Sequence, residues 1–265
     1  MQGLTRRGVL GVVQLGVCVM TGVLVFALLN AREDGLARPT PFGYPPLPAD
    51  AGTHRLLALP ADSHSTSYAF LETLPDGSPV TYDACRPIHY VISTHDLPAY
   101  GVKMVQEAVA KASAASGLRF QYDGPTSEVA GPNRALVQRD RYGDRWAPVL
   151  IGFSTADEQS MLGEDVMGRG GSSSVAPEGP ASARYVTGKV VLDRDDFDRA
   201  MHEQVQGFAE GRAVVMHELG HVLGLNHVQD PLQLMDAANS GFLFYGPGDL
   251  RGLALVGSGL CHHDT

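Results

Sequence analysis

The stretch AVVMHELGHVLGLNHVQDPLQLM, Ala213 to Met235, decides how the rest of the chain is read. Apolar residues recur through it at helical spacing, yet three histidines, a glutamate and two glycines interrupt them. His217 and His221 are four residues apart, which on a helix puts both imidazoles on one face, one turn apart. Glu218 sits one step round, where its carboxylate can reach a water held beside the rings without being a ligand itself. Gly224 comes three residues after His221. A glycine there can take the left-handed conformation that ends a helix and turns the chain. The turn brings His227 back as a third ligand, whereas a continuous helix would carry it away. Without a metal, three polar rings among Val, Leu and Met would need partners that this helix does not offer.

Three neutral imidazoles leave a fourth position open on a tetrahedral zinc ion, which is the catalytic rather than the structural arrangement. One catalytic Zn2+ is therefore expected on His217, His221 and His227, with Glu218 as the general base. The reaction class is hydrolysis of a peptide bond without a covalent enzyme intermediate.

Outward from the motif, Ile88–Ser93 (IHYVIS) reads as a strand rich in β-branched and aromatic residues. Val102, Val105, Val109 and Ala112 repeat at helical spacing in a segment that ends at Gly117. Leu118–Asp123 alternates like a strand, and Ala147–Ser154 (APVLIGFS) is the continuous apolar run of a buried one. Arg184–Asp193 reads as another strand. Tyr68–Asp83 carries Pro-Asp-Gly between two short apolar runs and is expected as a small hairpin. Gly124–Trp146 is loop-like. Met161–Ser182, rich in glycine and serine, is expected as a long loop across the front of a site. Its Gly168–Gly171 cluster either shapes the rim of a cleft, where substrate adds as a strand, or is plain flexible loop. Asp195–Leu225 is expected to be helical, mostly from Gln206, and Asp249–Val256 to be a last short helix. This order is an α+β arrangement.

At the N-terminus, Arg6 and Arg7 precede Gly8–Leu29, 22 residues without a charge. As a helix they span about 33 Å, enough to cross a bilayer. Residues 1–31 read as an uncleaved signal-anchor, with a cleaved signal peptide as the alternative. The arginines would stay in the cytoplasm and the rest be exported, so the catalytic domain would lie outside the cell, membrane-held or secreted. Residues 32–67, with RPTPFGYPPLP at Arg38–Pro48, read as a proline-rich spacer, and residues 68–265 as the catalytic domain. Cys85 and Cys261 are the two cysteines of the exported part. In an oxidising compartment such a pair is more often a disulfide than two free thiols. A net charge of -9 argues against nucleic acid as a partner. No internal repeat is present, and a monomer is expected.

HELGHVLGLNH resembles the zinc signature of the metzincin metallopeptidases. DPLQLM places Met235 eight residues after His227 and resembles the Met-turn as the matrixin group spaces it. GDLRGLALVG, Gly248–Gly257, is similar to the final helix of matrixin catalytic domains. The resemblance implies a twisted mixed sheet packed on the zinc-binding helix, then the Met-turn and a C-terminal helix. It implies zinc ligands His217, His221 and His227, general base Glu218, Met235 as the apolar floor under the metal, and an endopeptidase acting on proteins or peptides. The whole is also similar to matrixin-type peptidases exported by actinobacteria. In the metzincin-like order Cys85 and Cys261 bracket the domain, so a bridge would tie its ends together.

Several features depart from the matrixin pattern. DAANSG follows Met235 where matrixins carry a Pro-x-Tyr wall. No histidine lies between Val149 and Asp198, so the second, structural zinc of many matrixins has no imidazole ligands. There is no cysteine-switch propeptide. Matrixins bind calcium near the place of LDRDDFD, Leu192–Asp198; a solvated acidic loop is the stronger reading there and a Ca2+ site the weaker. The alternative to an enzyme is a non-catalytic zinc-containing domain that binds peptides or cell-wall material. The intact Glu218 favours the enzyme, because a binding module has no use for a base beside an open metal site.

Overall fold

The structure, a computed structural model, describes residues 43–61, 63–162, 166–238 and 241–262. The expected membrane-spanning segment lies outside them. Among the described residues no helix is long and apolar enough to cross a membrane.

In chain order the elements are β1 (Ala69–Phe70), β2 (Ile88–Ser93), α1 (Gly101–Ser116), β3 (Phe120–Thr126), α2 (Arg139–Tyr142), β4 (Val149–Ser154), β5 (Gly168–Val175), β6 (Arg184–Asp193), α3 (Arg194–Glu203), α4 (Gly207–Leu223), β7 (Leu225–Asn226) and α5 (Pro247–Gly257). The main sheet has the order β3-β2-β4-β6-β5. Its first four strands are parallel, and β5 runs antiparallel to β6 at the edge. This is the α+β fold that the element order implies and the mixed sheet that the metzincin resemblance implies.

Every residue of β4 is buried, because both faces of the sheet are covered. Ile151 and Phe153 of β4, with Val190 and Leu192 of β6, face α1 and α4 in the main core. Leu150, Val191 and Val91 point the other way, onto Ala130, Tyr142, Met161 and Leu162 from the two long connections. The period-2 alternation of strands thus serves two apolar layers, and the sequence shows a continuous apolar run. The connection from 127 to 146 is pinned by Glu128. Its carboxylate accepts from Arg134 Nε and Nη2 at 2.9 and 3.1 Å and from the Tyr142 hydroxyl at 2.6 Å.

Three local expectations change. Met161–Ser182 is not one long loop: eight of its residues form β5, whose glycines and serines disguise a strand. The Pro75-Asp76-Gly77 turn forms, with a single antiparallel bridge between Thr73 and Pro79, but Ala69 and Phe70 pair instead with Asn226 and Leu225. The predicted helix Asp195–Leu225 is two helices, broken at Gln204–Gln206. Asp193 caps the first of them by accepting from the amides of Asp195 and Asp196.

Residues 43–61 and 63–67, expected within an extended spacer, are coil that lies against the domain. Gly52 and Leu56 donate backbone hydrogen bonds to the carbonyls of Cys85 and Ala84 at 2.8 and 3.1 Å. The Arg55 guanidinium donates to the carbonyls of Gly257 at 2.7 Å and Gly117 at 3.3 Å, joining the ends of α5 and α1. Tyr44 packs on Trp146 with ring centroids 5.4 Å apart. The prolines favour an extended path, and polar anchors along that path fix it to the surface.

Cys85 and Cys261 are joined by a disulfide, with Cα atoms 5.2 Å apart and a sequence separation of 176. For a loop of that size, chain entropy puts the stabilisation at about 5 kcal/mol at most. The oxidised chain is therefore expected to show no alkylatable thiol at Cys85 or Cys261 before reduction. Cys85→Ser should lower the melting temperature without raising activity. A reactive thiol at Cys85 in the native protein, with activity gained on its modification, would mean a latch instead of a bridge.

Candidate metal centre and cleft

Helix α4 carries Glu210, Ala213, Val214, His217, Glu218 and His221 along the side that lines a cleft of about 920 Å³. The spacing i, i+3, i+4, i+7, i+8, i+11 is one face of a helix. Gly224 ends α4 in the left-handed region at φ 108°, and its amide donates back to Gly220 and His221 carbonyls. The chain then reverses through β7 and returns His227 to the cleft. The Nε2 atoms of His217, His221 and His227 stand 3.0 to 3.1 Å from one another.

The second ring nitrogens show what this triangle requires. His217 Nδ1 donates to the Leu234 carbonyl at 2.7 Å, and His221 Nδ1 donates to the Leu225 carbonyl at 2.8 Å. A carbonyl only accepts, so in both rings the proton is on Nδ1 and the Nε2 lone pair faces its neighbours. Burial pushes the imidazolium of His217 down to about 4 and that of His221 to about 3, so both stay neutral. Burial lowers His227 as well. Converging lone pairs repel unless a cation lies among them. Zinc bound at about 2.0–2.1 Å in a tetrahedron sets its nitrogen ligands about 3.3 Å apart. The triangle is close to that size, and the donor set fits a zinc ion.

Glu218 is buried on the same face. Burial raises its carboxyl to about 7, against the opposing effects of a hydrogen bond from the Gly170 amide and of Arg169 nearby. That amide belongs to β5, which lies directly on the helix. A Cβ at Gly170 would meet the Glu218 carbonyl oxygen at 2.2 Å, so only glycine lets the strand come this close. Ser172 Oγ donates to the Val222 carbonyl at 2.7 Å and holds the two elements together farther along. The glycine cluster is thus rim, not slack loop: Gly168, Arg169 and Gly170 line the cleft.

Met235 is buried beneath α4. A Cβ at Gly220 would stand 2.5 Å from its sulfur, so the glycine makes room for the thioether. The turn is held by two residues that sequence reasoning missed. Buried Asp249 accepts from the amides of Leu234, Met235 and Gly246. Buried Gln233 answers with Oε1, accepting from the amides of Gly248 and Asp249 at 2.7 and 3.1 Å. Burial raises the Asp249 carboxyl above its ordinary value. An acid in the first turn of a predicted helix was visible in the sequence; its reach to the Met-turn was not. Tyr245 adds a 2.7 Å hydrogen bond to the Met216 carbonyl, tying the segment after the turn to α4.

The Matrixin family model matches residues 139–241, a span that runs from α2 to beyond Met235 and contains all three histidines and Glu218. Over these residues the chain is similar to the matrixins, and the match supports a matrixin-like metzincin. No curated protein matches it. The matrixin match points to a zinc metallopeptidase. In this matrixin-like chain LDRDDFD starts α3: Asp193 caps the helix, Asp196 pairs with Arg199, and Asp198 pairs with Arg194 at 2.6 Å. Those carboxylates are engaged separately instead of converging on one point, which favours the solvated acidic segment over a calcium site.

Proposed function

We propose that the chain is an exported zinc-dependent endopeptidase in which Glu218 serves as the general base. The observation that carries the reading is the triangle of Nε2 atoms at 3.0 to 3.1 Å beside a buried carboxylate in an open cleft. His217, His221 and His227 would hold the ion. Zinc, when bound there, polarises the scissile carbonyl and acidifies water. Glu218 takes the proton of the attacking water and passes it to the leaving amine. Leu234 and Leu225 carbonyls keep the proton of His217 and His221 on Nδ1, which keeps Nε2 free to bind metal. Among the described residues β5 has β6 as its one neighbour in the sheet, so an extended peptide can add along its cleft side as a further strand. The export reading rests on the charge-free stretch Gly8–Leu29 behind two arginines.

The test is zinc analysis of the purified full chain together with cleavage of a peptide library. One zinc per chain is expected, with internal peptide bonds cut. A chelator should abolish cleavage and added zinc restore it. A chain that holds zinc and binds peptides but cuts none would be the non-catalytic binding domain instead.

A further inference from the structure

Among the described residues, seven charged ones line the cleft: Asp196, Glu203, Glu210, Glu218 and Asp236 are acidic, Arg169 and Arg199 basic. Their distribution is uneven. Asp236 and Arg169 act on the groups of the metal centre, as the pull of Asp236 on His217 and of Arg169 on Glu218 shows. Asp196 is neutralised by Arg199. Glu203 and Glu210 remain, and among the described residues neither has an ion-pair partner. Both belong to the end of the cleft where the last turn of α3 meets the first turn of α4. Glu210 shares the face of α4 that bears His217, seven residues away, about 10 Å along the axis. Ala213 and Val214 lie between them and are small or slender, so a long side chain can pass from the metal to Glu210. Ala237, Gly241, Phe242 and Leu243 also line the cleft and bring no charge to it. The carbonyls that end α3 add partial negative charge at the same place.

The strand direction says which side of a substrate reaches this end. Gly168 and Gly170 lie at Glu218, and Ser172 lies at Val222, so β5 runs alongside α4 in the same sense. A peptide added antiparallel to β5, as β6 is on its other side, runs from the Val222 end towards Glu210. Residues on the carboxyl side of the scissile bond then point to Glu210 and Glu203. We infer that Glu210 and Glu203 make this cleft selective for peptides with lysine or arginine just on the carboxyl side of the scissile bond. The inference takes the proposed peptidase site as its frame, and it adds the substrate class.

Two readouts separate its fate from that of the peptidase reading. In the first, full-length zinc-loaded protein cleaves a library in which the residues after the scissile bond vary. Lysine and arginine should exceed leucine by about 10-fold or more in kcat/KM, and the advantage should shrink with added salt. Glu203→Gln with Glu210→Gln should bring that ratio close to one, and Glu210→Lys should turn it towards acidic residues. In the second, the Glu218→Ala protein binds labelled lysine and leucine peptides without cutting them. It should prefer the lysine peptide by a similar factor, and the added double substitution should remove the preference. Cleavage that favours apolar residues, or a ratio untouched by the double substitution, overturns the inference while leaving the peptidase intact. Charge-selective binding by a wild type that cuts nothing sinks the peptidase reading and keeps the acidic subsite. Loss of binding through misfolding is recognised by loss of zinc, which the glutamine variants should retain at the wild-type ratio.

Discussion

Glu218→Ala is expected to keep one zinc per chain and to lose peptide hydrolysis by three orders of magnitude or more. The metal would be held by three imidazoles, of which His217 and His221 have their Nδ1 protons fixed by backbone carbonyls, and none of those contacts involves Glu218. Removing the carboxylate also removes an acceptor of the Gly170 amide, but β5 remains tied to α4 through Ser172. On the proposed mechanism, what disappears is the group that takes and returns the proton, and a lost general base costs typically 10²–10⁴ before any coupling to water activation is counted. Zinc content and kcat on one good peptide, measured side by side, check it. A variant that loses zinc along with activity would make Glu218 a ligand or a support for the metal, not a base.

The second large effect lies away from the chemistry. Asp249→Ala should destabilise the domain by on the order of 3–5 kcal/mol, because three buried backbone amides, at Leu234, Met235 and Gly246, lose their acceptor at once. For a domain of this size that is a fall in melting temperature on the order of 10 °C. Asp249→Asn should fall between, since its carbonyl oxygen still accepts while its amide group confronts a donor. The Leu234 carbonyl also orients His217, so a loosened Met-turn should release zinc to a chelator faster than wild type does. Thermal unfolding and the rate of zinc loss are the measurements. A melting temperature unchanged in Asp249→Ala would show that the amides find water or other acceptors.

The parts of this molecule that announced themselves were those in which one physical demand acts on local sequence. His217, Glu218, His221, Gly224 and His227 are spaced by the geometry of a helix and its end, so the motif could be read without the fold. Helix α1 and strands β2, β4 and β6 carry the periodicity of their own burial. β5 stayed hidden because its glycines answer a demand made by another element, the backbone of α4 lying on it, which no local pattern records. The break between α3 and α4 was hidden because polar residues at Gln204 and Gln206 are tolerated within helices as well as between them. Gln233 and Asp249 were hidden for a third reason: each looks ordinary alone, and only the approach of the Met-turn to α5 makes them a reciprocal pair. The acidic end of the cleft belongs to the same class, assembled from two helices.

The pairing of β1 with β7 and the bridge from Cys85 to Cys261 bear on the order in which the chain can fold. Residues 43–70 find their partners at Gly117, Asn226 and Gly257 as well as at nearby Ala84 and Cys85. A part of the domain made early is thus among the last to be fixed, since closing such long loops must wait for the distant end. His227 and the Met-turn arrive equally late. A nascent chain therefore has no finished histidine triangle, and the triangle and the closing of the domain come together in the final stage of folding.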